Sequence, residues 1–345
     1  MSKVWLLTII LLLFSCKESQ KTDFEKRHAL IVNINSKENL LAYSYWKNND
    51  YAIKIEDLNN NKIIYSTKIQ NASFTVPRIN NDKLYFPESN YMFACVDYKT
   101  KKTIWKLPTK GRLREFQIVK NDIIIASVNL YGLVVINANK GKIIYELLLH
   151  SDKNCQVDSA PRPIDFDEKY FYVTNFNCSS VAAYEITTGK EVWSKKENNT
   201  TFSSLIVAGK YLFVGSNITI ENPKDGEISL LEAETGKVVF KQKSSFDLFT
   251  SPILYQNKIF FHTYESSLNE FDINRKTLKT VLKFNDHNDL ISNTIFKINN
   301  TLYFQDLKYN INKTDLNTFQ TEIVEKGRKG LLGVYKVNDK IKFVY

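Results

Sequence analysis

An all-β fold built from repeated four-stranded sheets is what this sequence predicts, and three observations carry the prediction. One short pattern recurs seven times along the 345-residue chain. Each recurrence is preceded by β-rich runs separated by Gly, Asn or Asp turn residues. After the first sixteen residues no segment has the periodicity of a helix.

In every copy an acidic or amide residue opens a polar turn, which leads into an apolar strand ending near an aromatic. The copies begin at Asp57 (DLNNNKIIY), Asp97 (DYKTKKTIW), Asn137 (NANKGKIIY), Glu185 (EITTGKEVW), Glu232 (EAETGKVVF), Asp272 (DINRKTLKT) and Asp315 (DLNTFQTEI). Successive anchors lie 40, 40, 48, 47, 40 and 43 residues apart. That period, with several short strands in each copy, is the signature of a β-propeller blade. Ahead of the anchors stand hairpins such as VPRINNDKLYF, FQIVKNDIIIA, PILYQNKIFFH and TIFKINNTLYF. Each repeat is therefore four strands, A to D from the inside out, with the anchor turn joining C to D.

The two ends of the repeat array set the blade count. Residues 29–46 supply an A–B pair for the first blade, and GVYKVNDKIKFVY, from Gly333, is one more A–B hairpin. The last hairpin either helps to close a seven-bladed ring against the N-terminal strands or forms a partial eighth blade. Both arrangements cover sheet edges that would otherwise invite aggregation. The expected architecture is a propeller of seven four-stranded blades, with eight blades, the last partial, as the alternative.

The N-terminus reads as an export signal. Lys3 gives a basic start, residues 4–14 are eleven mostly apolar residues, and Ser15 precedes Cys16. Eleven residues are too few to cross a bilayer, which takes roughly 20. The small residue before Cys16 resembles the lipobox of bacterial lipoproteins, although that pattern prefers a small residue where Phe14 stands. The resemblance implies that the Cys16 thiol is acylated and ties the chain to a lipid bilayer. The expected organisation is a signal over residues 1–15, a lipidated cysteine and polar tether over 16–28, and a propeller over 29–345.

The charge balance excludes one large class of partner. Formal net charge is +10, yet only seven of the 47 basic residues are Arg, the side chain suited to bidentate recognition of phosphates and bases. Lysines are scattered along the chain, which describes a solvated surface and not a nucleic-acid interface. Cysteine usage fits an oxidising compartment. Cys155 and Cys178 flank the A–B hairpin of the fourth repeat, and folding it brings them close to opposition. A disulfide between them is expected, with two free thiols as the alternative. Cys95 stands two residues before its anchor and reads as a small buried apolar residue.

The best copy of the repeat, Ala183-Tyr-Glu-Ile-Thr-Thr-Gly-Lys-Glu-Val-Trp193, resembles the tryptophan-docking motif of pyrroloquinoline-quinone-like propellers, A-x-D-x-x-T-G-K-x-x-W, with Glu185 in place of Asp. Copies ending at Trp105 and, with Gly236, at Phe240 are weaker. In that family Gly189 would permit a turn with positive φ, and Trp193 would pack between adjacent blades. In plan, with signal, lipobox, tether and propeller, the chain also resembles the BamB family of outer-membrane assembly lipoproteins. This implies a membrane-anchored envelope protein that scaffolds protein–protein contacts. The alternative within the wider family is a quinoprotein oxidoreductase, or a sensor that binds a small ligand in the central funnel.

Long connections on a regular scaffold are where function is expected. The two long repeats place their extra length in D–A and B–C loops of the fourth and fifth blades. That face gathers Asp152, Asp158, Arg162, Asn175, Asn217 and Glu221 as a candidate surface for a protein partner. Nothing points to catalysis, to a cofactor or to a metal. The four His residues lie far apart, and no H-E-x-x-H, zinc-spaced Cys pair or phosphate-binding loop is present. The sequence therefore reads as a non-enzymatic, monomeric envelope lipoprotein, on the periplasmic side or the surface of the outer membrane.

Overall fold

A computed structural model describes residues 29–35, 37–47, 50–71, 75–120, 122–148, 164–175, 180–196, 201–217, 226–243, 251–263, 267–283, 295–306, 308–327, 330–337 and 339–345. Thirty strands and no helix are found among them. Blade one comprises β1 (Ala29–Asn35), β2 (Leu40–Lys47), β3 (Asp50–Asp57) and β4 (Lys62–Lys68). Blade two is β5 (Arg78–Asn80), β6 (Lys83–Ser89), β7 (Met92–Asp97) and β8 (Lys102–Pro108). Blade three is β9 (Leu113–Val119), β10 (Ile123–Val128), β11 (Gly132–Asn137) and β12 (Lys142–Leu147). Blade four is β13 (Ile164–Phe166), β14 (Tyr170–Asn175), β15 (Ser180–Glu185) and β16 (Glu191–Lys196). Blade five is β17 (Thr201–Ala208), β18 (Tyr211–Asn217), β19 (Gly226–Glu232) and β20 (Val238–Lys243). Blade six is β21 (Ile253–Tyr255), β22 (Lys258–Thr263), β23 (Ser267–Asp272) and β24 (Thr277–Lys283). Blade seven is β25 (Phe296–Ile298), β26 (Thr301–Gln305), β27 (Ile311–Asp315) and β28 (Thr321–Glu325).

Each blade is an antiparallel meander in chain order. The seven expected four-stranded blades are thus present. The C-terminal hairpin, β29 (Gly333–Val337) and β30 (Lys340–Val344), pairs only with itself among the described residues. β29 lies against β25 of blade seven and β1 of blade one. The hairpin is a two-stranded wedge that closes the ring between the last blade and the first. First strands of neighbouring blades also touch elsewhere, as β9 does β13 and β17 does β21, so the A strands form the inner wall.

Strand alternation explains the packing. Tyr85, Phe93, Cys95 and Trp105 of blade two face Ile124, Ala126, Val134 and Ile136 of blade three in one buried cluster. The same division recurs round the ring, with one apolar cluster at each junction. Burial lifts the Cys95 thiol to about 12, so it is an inert core group.

The anchor residue folds its turn directly. Asp97 Oδ1 accepts from the Thr100 amide at 2.8 Å, and Asp315 Oδ1 from Asn317 at 2.8 Å. These backbone donors hold both carboxyls below the usual carboxylate range. Where the anchor is Glu, the longer side chain instead accepts from a Thr three residues on: Thr188 to Glu185 at 2.6 Å and Thr235 to Glu232 at 2.8 Å. Four residues after every anchor the backbone has positive φ, at Asn61, Lys101, Gly141, Gly189, Gly236, Lys276 and Phe319.

Candidate functional site

Of the surface that the sequence selects, Asn175 and Asn217 end β14 and β18, paired in the backbone with Ser180 and Gly226. They stand on the same rim of adjacent blades, Asn217 one residue further along its strand than Asn175. Asp152, Asp158, Arg162 and Glu221 lie outside the described residues, as do Cys16 and the Cys155–Cys178 pair.

The docking residues are placed across blade junctions. Trp105 Nε1 donates to the Ala138 carbonyl of blade three at 2.8 Å, and Trp193 Nε1 to that of Ala233 in blade five at 2.8 Å. Tyr145, at the matching place in blade three, donates its hydroxyl to Ile186 of blade four at 2.7 Å. Each ring lies on the glycine of the next turn. A Cβ would meet Trp105 at 2.4 Å from Gly141, Tyr145 at 2.5 Å from Gly189, and Trp193 at 2.6 Å from Gly236. Phe240 reaches blade six and packs on Phe271, with centroids 5.0 Å apart. Ala183 is wholly buried opposite Trp193.

The junction after blade six is built differently. Glu270, only 3% exposed, takes the place that Cys95 and Ala183 occupy elsewhere, and pairs with Lys258 and Lys279, each at 3.1 Å. Lys279 in turn lies over the Phe319 ring of blade seven, 5.4 Å from its centroid. In blade seven Lys313 pairs with Glu322 at 3.1 Å. His262, on β22, packs edge-on against Phe304 with centroids 5.1 Å apart. It is fully buried, neither ring nitrogen has a hydrogen-bond partner among the described residues, and burial drives it down to about 3. It is neutral at pH 7.

The inner wall is polar. Arg78 Nε donates to the Phe116 carbonyl at 2.7 Å, Gln117 to that of Ile164 at 3.3 Å, and Asp165 accepts from the Val207 amide at 2.8 Å. These bonds stitch the A strands of blades two to five side by side, where no ladder joins them. Burial lowers the Arg78 guanidinium, opposed by the charge of Glu115, and raises the Asp165 carboxyl.

On the opposite rim from Asn175, the A–B turns of blades four and five and the C–D turn of blade five line a cavity of about 360 Å³. Lys169 lies over the Tyr170 ring and Lys210 over that of Tyr211, at 4.8 and 5.2 Å, with Glu168 and Glu234 also at the wall. Asp167 is consumed by its own turn, accepting from the amides of Lys169 and Tyr170 at 2.7 Å and from the Tyr172 hydroxyl at 2.6 Å. Paired tyrosines and charges on a rigid turn suit contact with a polypeptide surface. The charged A–B turns (DEKY, GKY) are the sequence signal for this rim, which long loops do not mark. Among the described residues no group of three or more His, Cys, Asp or Glu side chains is placed to hold a metal ion.

Comparison with known proteins agrees with this architecture. The family described as outer membrane protein assembly factor BamB matches residues 49–227 and 177–281. No curated protein matches the sequence. Among solved structures, BamB from Moraxella catarrhalis has a TM-score of 0.59 at 14% identity, over 80% of this chain and 81% of that one. The computationally designed protein Ika8 has a TM-score of 0.71 at 12% identity, over 92% and 93% of the two chains. Sqt1 from Saccharomyces cerevisiae has 0.69 at 10% identity, over 89% and 88%. At these identities the likeness is one of fold.

Proposed function

This chain belongs to the family of outer membrane protein assembly factor BamB, and from that we propose that it is an exported, membrane-anchored scaffold that binds protein partners during outer-membrane or envelope assembly. The family match carries the reading. Three further features support it: an N-terminal segment ending at Cys16 that resembles a signal and lipobox, a ring with two differently furnished rims, and tyrosine–lysine pairs on the turns of blades four and five. In this reading acylated Cys16 holds the protein, as a monomer, to the outer membrane on its periplasmic side or its surface. It works by presenting surfaces to other proteins and not by chemistry of its own.

The test is capture of full-length protein from detergent-solubilised envelopes, compared with variants shortened in the segments 150–163 and 218–225. Specific co-purification of envelope-assembly proteins, lost on shortening, is the expected result. Uptake of quinone and Ca²⁺ with a change in absorbance, or a redox group tightly bound to the purified protein, would overturn it.

A further inference from the structure

Among the described residues, the wedge that closes the ring leaves one sheet edge without a partner strand. In all seven complete blades the second to fourth residues of the B strand are buried, as in Leu84-Tyr85-Phe86 and Leu302-Tyr303-Phe304. Their counterparts on β30, Ile341, Lys342 and Phe343, are only half-buried. The reason is topological: no strand lies on the outer side of β30 among the described residues. The inner side is firmly seated. Val344 joins Leu41 and Tyr43 of blade one in one apolar cluster, and Phe343 packs on Tyr303 of blade seven, with centroids 5.9 Å apart.

The walls above this edge are charged. On the faces that other blades turn to their predecessors stand residues such as Val134 and Ile136, or Ala182 and Tyr184. The same positions on β3 of blade one are Lys54 and Glu56. By alternation Lys340 and Lys342 project from β30 toward blade one, on the side of Val344. Lys54, Lys68, Lys340 and Lys342 therefore share that side with two carboxylates, Glu56 and Asp50, of which Asp50 lies beside Lys54 and 3.6 Å from Lys68. On the blade-seven wall Lys313 and Glu322 neutralise each other. Lysines on an edge strand disfavour pairing with a second copy of the same edge, because like charges would fall opposite one another.

We propose that the outer edge of β30 docks an extended segment of a partner protein, added as a third strand of the wedge, with carboxylates at the alternate positions that face blade one. Backbone pairing supplies the binding and the lysines select the sequence. The proposal deepens the scaffold reading and rests on it for the existence of a partner.

The experiment uses the full chain and two synthetic peptides of about seven residues, one alternating Glu with Val and the other Lys with Val. Backbone exchange of those amides of residues 340–344 that point away from β29 is followed with and without peptide. Fast exchange in the free protein, slowed by the Glu peptide and not by the Lys peptide, is expected. In Lys340→Glu/Lys342→Glu the Glu peptide binds about tenfold more weakly and the Lys peptide gains. An N-methylated Glu peptide, blocked along one edge, fails to bind. Slow exchange in the free protein, equal binding of both peptides, or indifference to charge reversal would each overturn the proposal. Envelope capture that persists in the charge-reversed protein would remove this edge and leave the scaffold reading intact. Peptide binding that survives a failed capture would do the converse.

Discussion

Blades two to five and blades six to seven solve the same packing problem with different chemistry. In the first arc an aromatic ring fills the gap between blades, lying on a glycine and donating to the next turn. In the second arc the gap holds Glu270 between two lysines, and the aromatic has crossed over to Phe319 on the neighbouring blade. A two-residue displacement of the β-bulge marks the change. In blade two the bulge falls between Cys95 and Val96, and in blade four between Ala183 and Tyr184, so that Trp105 and Trp193 lie opposite Cys95 and Ala183. In blades six and seven it falls further along, between Leu268 and Asn269 and between Ile311 and Asn312. Lys279 and Glu322 then take the outward-facing place, opposite Glu270 and Lys313. A bulge turns alternate side chains to the other face. The junction's chemistry therefore follows from where the extra residue sits as much as from which residues are present.

The contrast predicts unequal sensitivity. Trp105→Ala removes a buried ring and its hydrogen bond, and should cost about 3–5 kcal/mol in denaturant unfolding; a loss under about 1 kcal/mol would show that the ring is not a main prop of the junction. Gly141→Ala combines positive φ with a Cβ only 2.4 Å from Trp105, and about 2–4 kcal/mol is expected. Gly209→Ala is its control, with φ +61 and nothing within 4 Å, at about 1 kcal/mol. Equal costs for the two glycines would remove ring contact as the cause.

In the second arc acid is the sensitive variable. The His262 pKa, down to about 3 in the fold, lies below its unfolded value, so only the unfolded chain takes up a proton between about pH 6.5 and 3. Its contribution is complete above pH 6.5 and is lost as pH falls, by about 1.4 kcal/mol per unit. His262→Leu should flatten that part of the stability–pH curve while changing little at pH 7; an unchanged slope would assign the acid sensitivity elsewhere. Glu270→Gln leaves Lys258 and Lys279 unpaired, but both reach solvent, with side chains 36% and 56% exposed. A cost of about 1–2 kcal/mol is expected, shrinking in high salt, whereas the Trp105 effect should not depend on salt. The smallest change is Lys101→Gly, which relieves a non-glycine residue at φ 61 and should stabilise by about 0.5–1 kcal/mol.

The repeat, the four-stranded blade and the C–D turn were legible because they depend on neighbours in the chain: a carboxylate that reaches an amide two or three residues on, a residue with positive φ, and alternating apolar positions. The final hairpin was legible as a hairpin for the same reason. What the motif could not reveal was that its own two signature residues serve different junctions. Gly189 receives Tyr145 from the preceding blade, while Trp193 of the same repeat lies on Gly236 of the following one. Nor could spacing locate the shifted bulges, the His262 burial or the polar stitching of Arg78, Gln117 and Asp165, since each joins residues 38 or more positions apart or depends on what a neighbouring blade presents.

The sequence by itself determined the repeating unit, its strand order and the number of complete four-stranded blades, because hydrogen bonding within a meander is local. Only the tertiary structure decided which face meets which, where charge replaces aromatic packing, and that the ring closes on a two-stranded wedge whose outer edge has no partner strand among the described residues. Those outcomes depend on how separate sheets fit against one another, and side-chain volume, bulge position and burial act there between residues that the chain order keeps far apart.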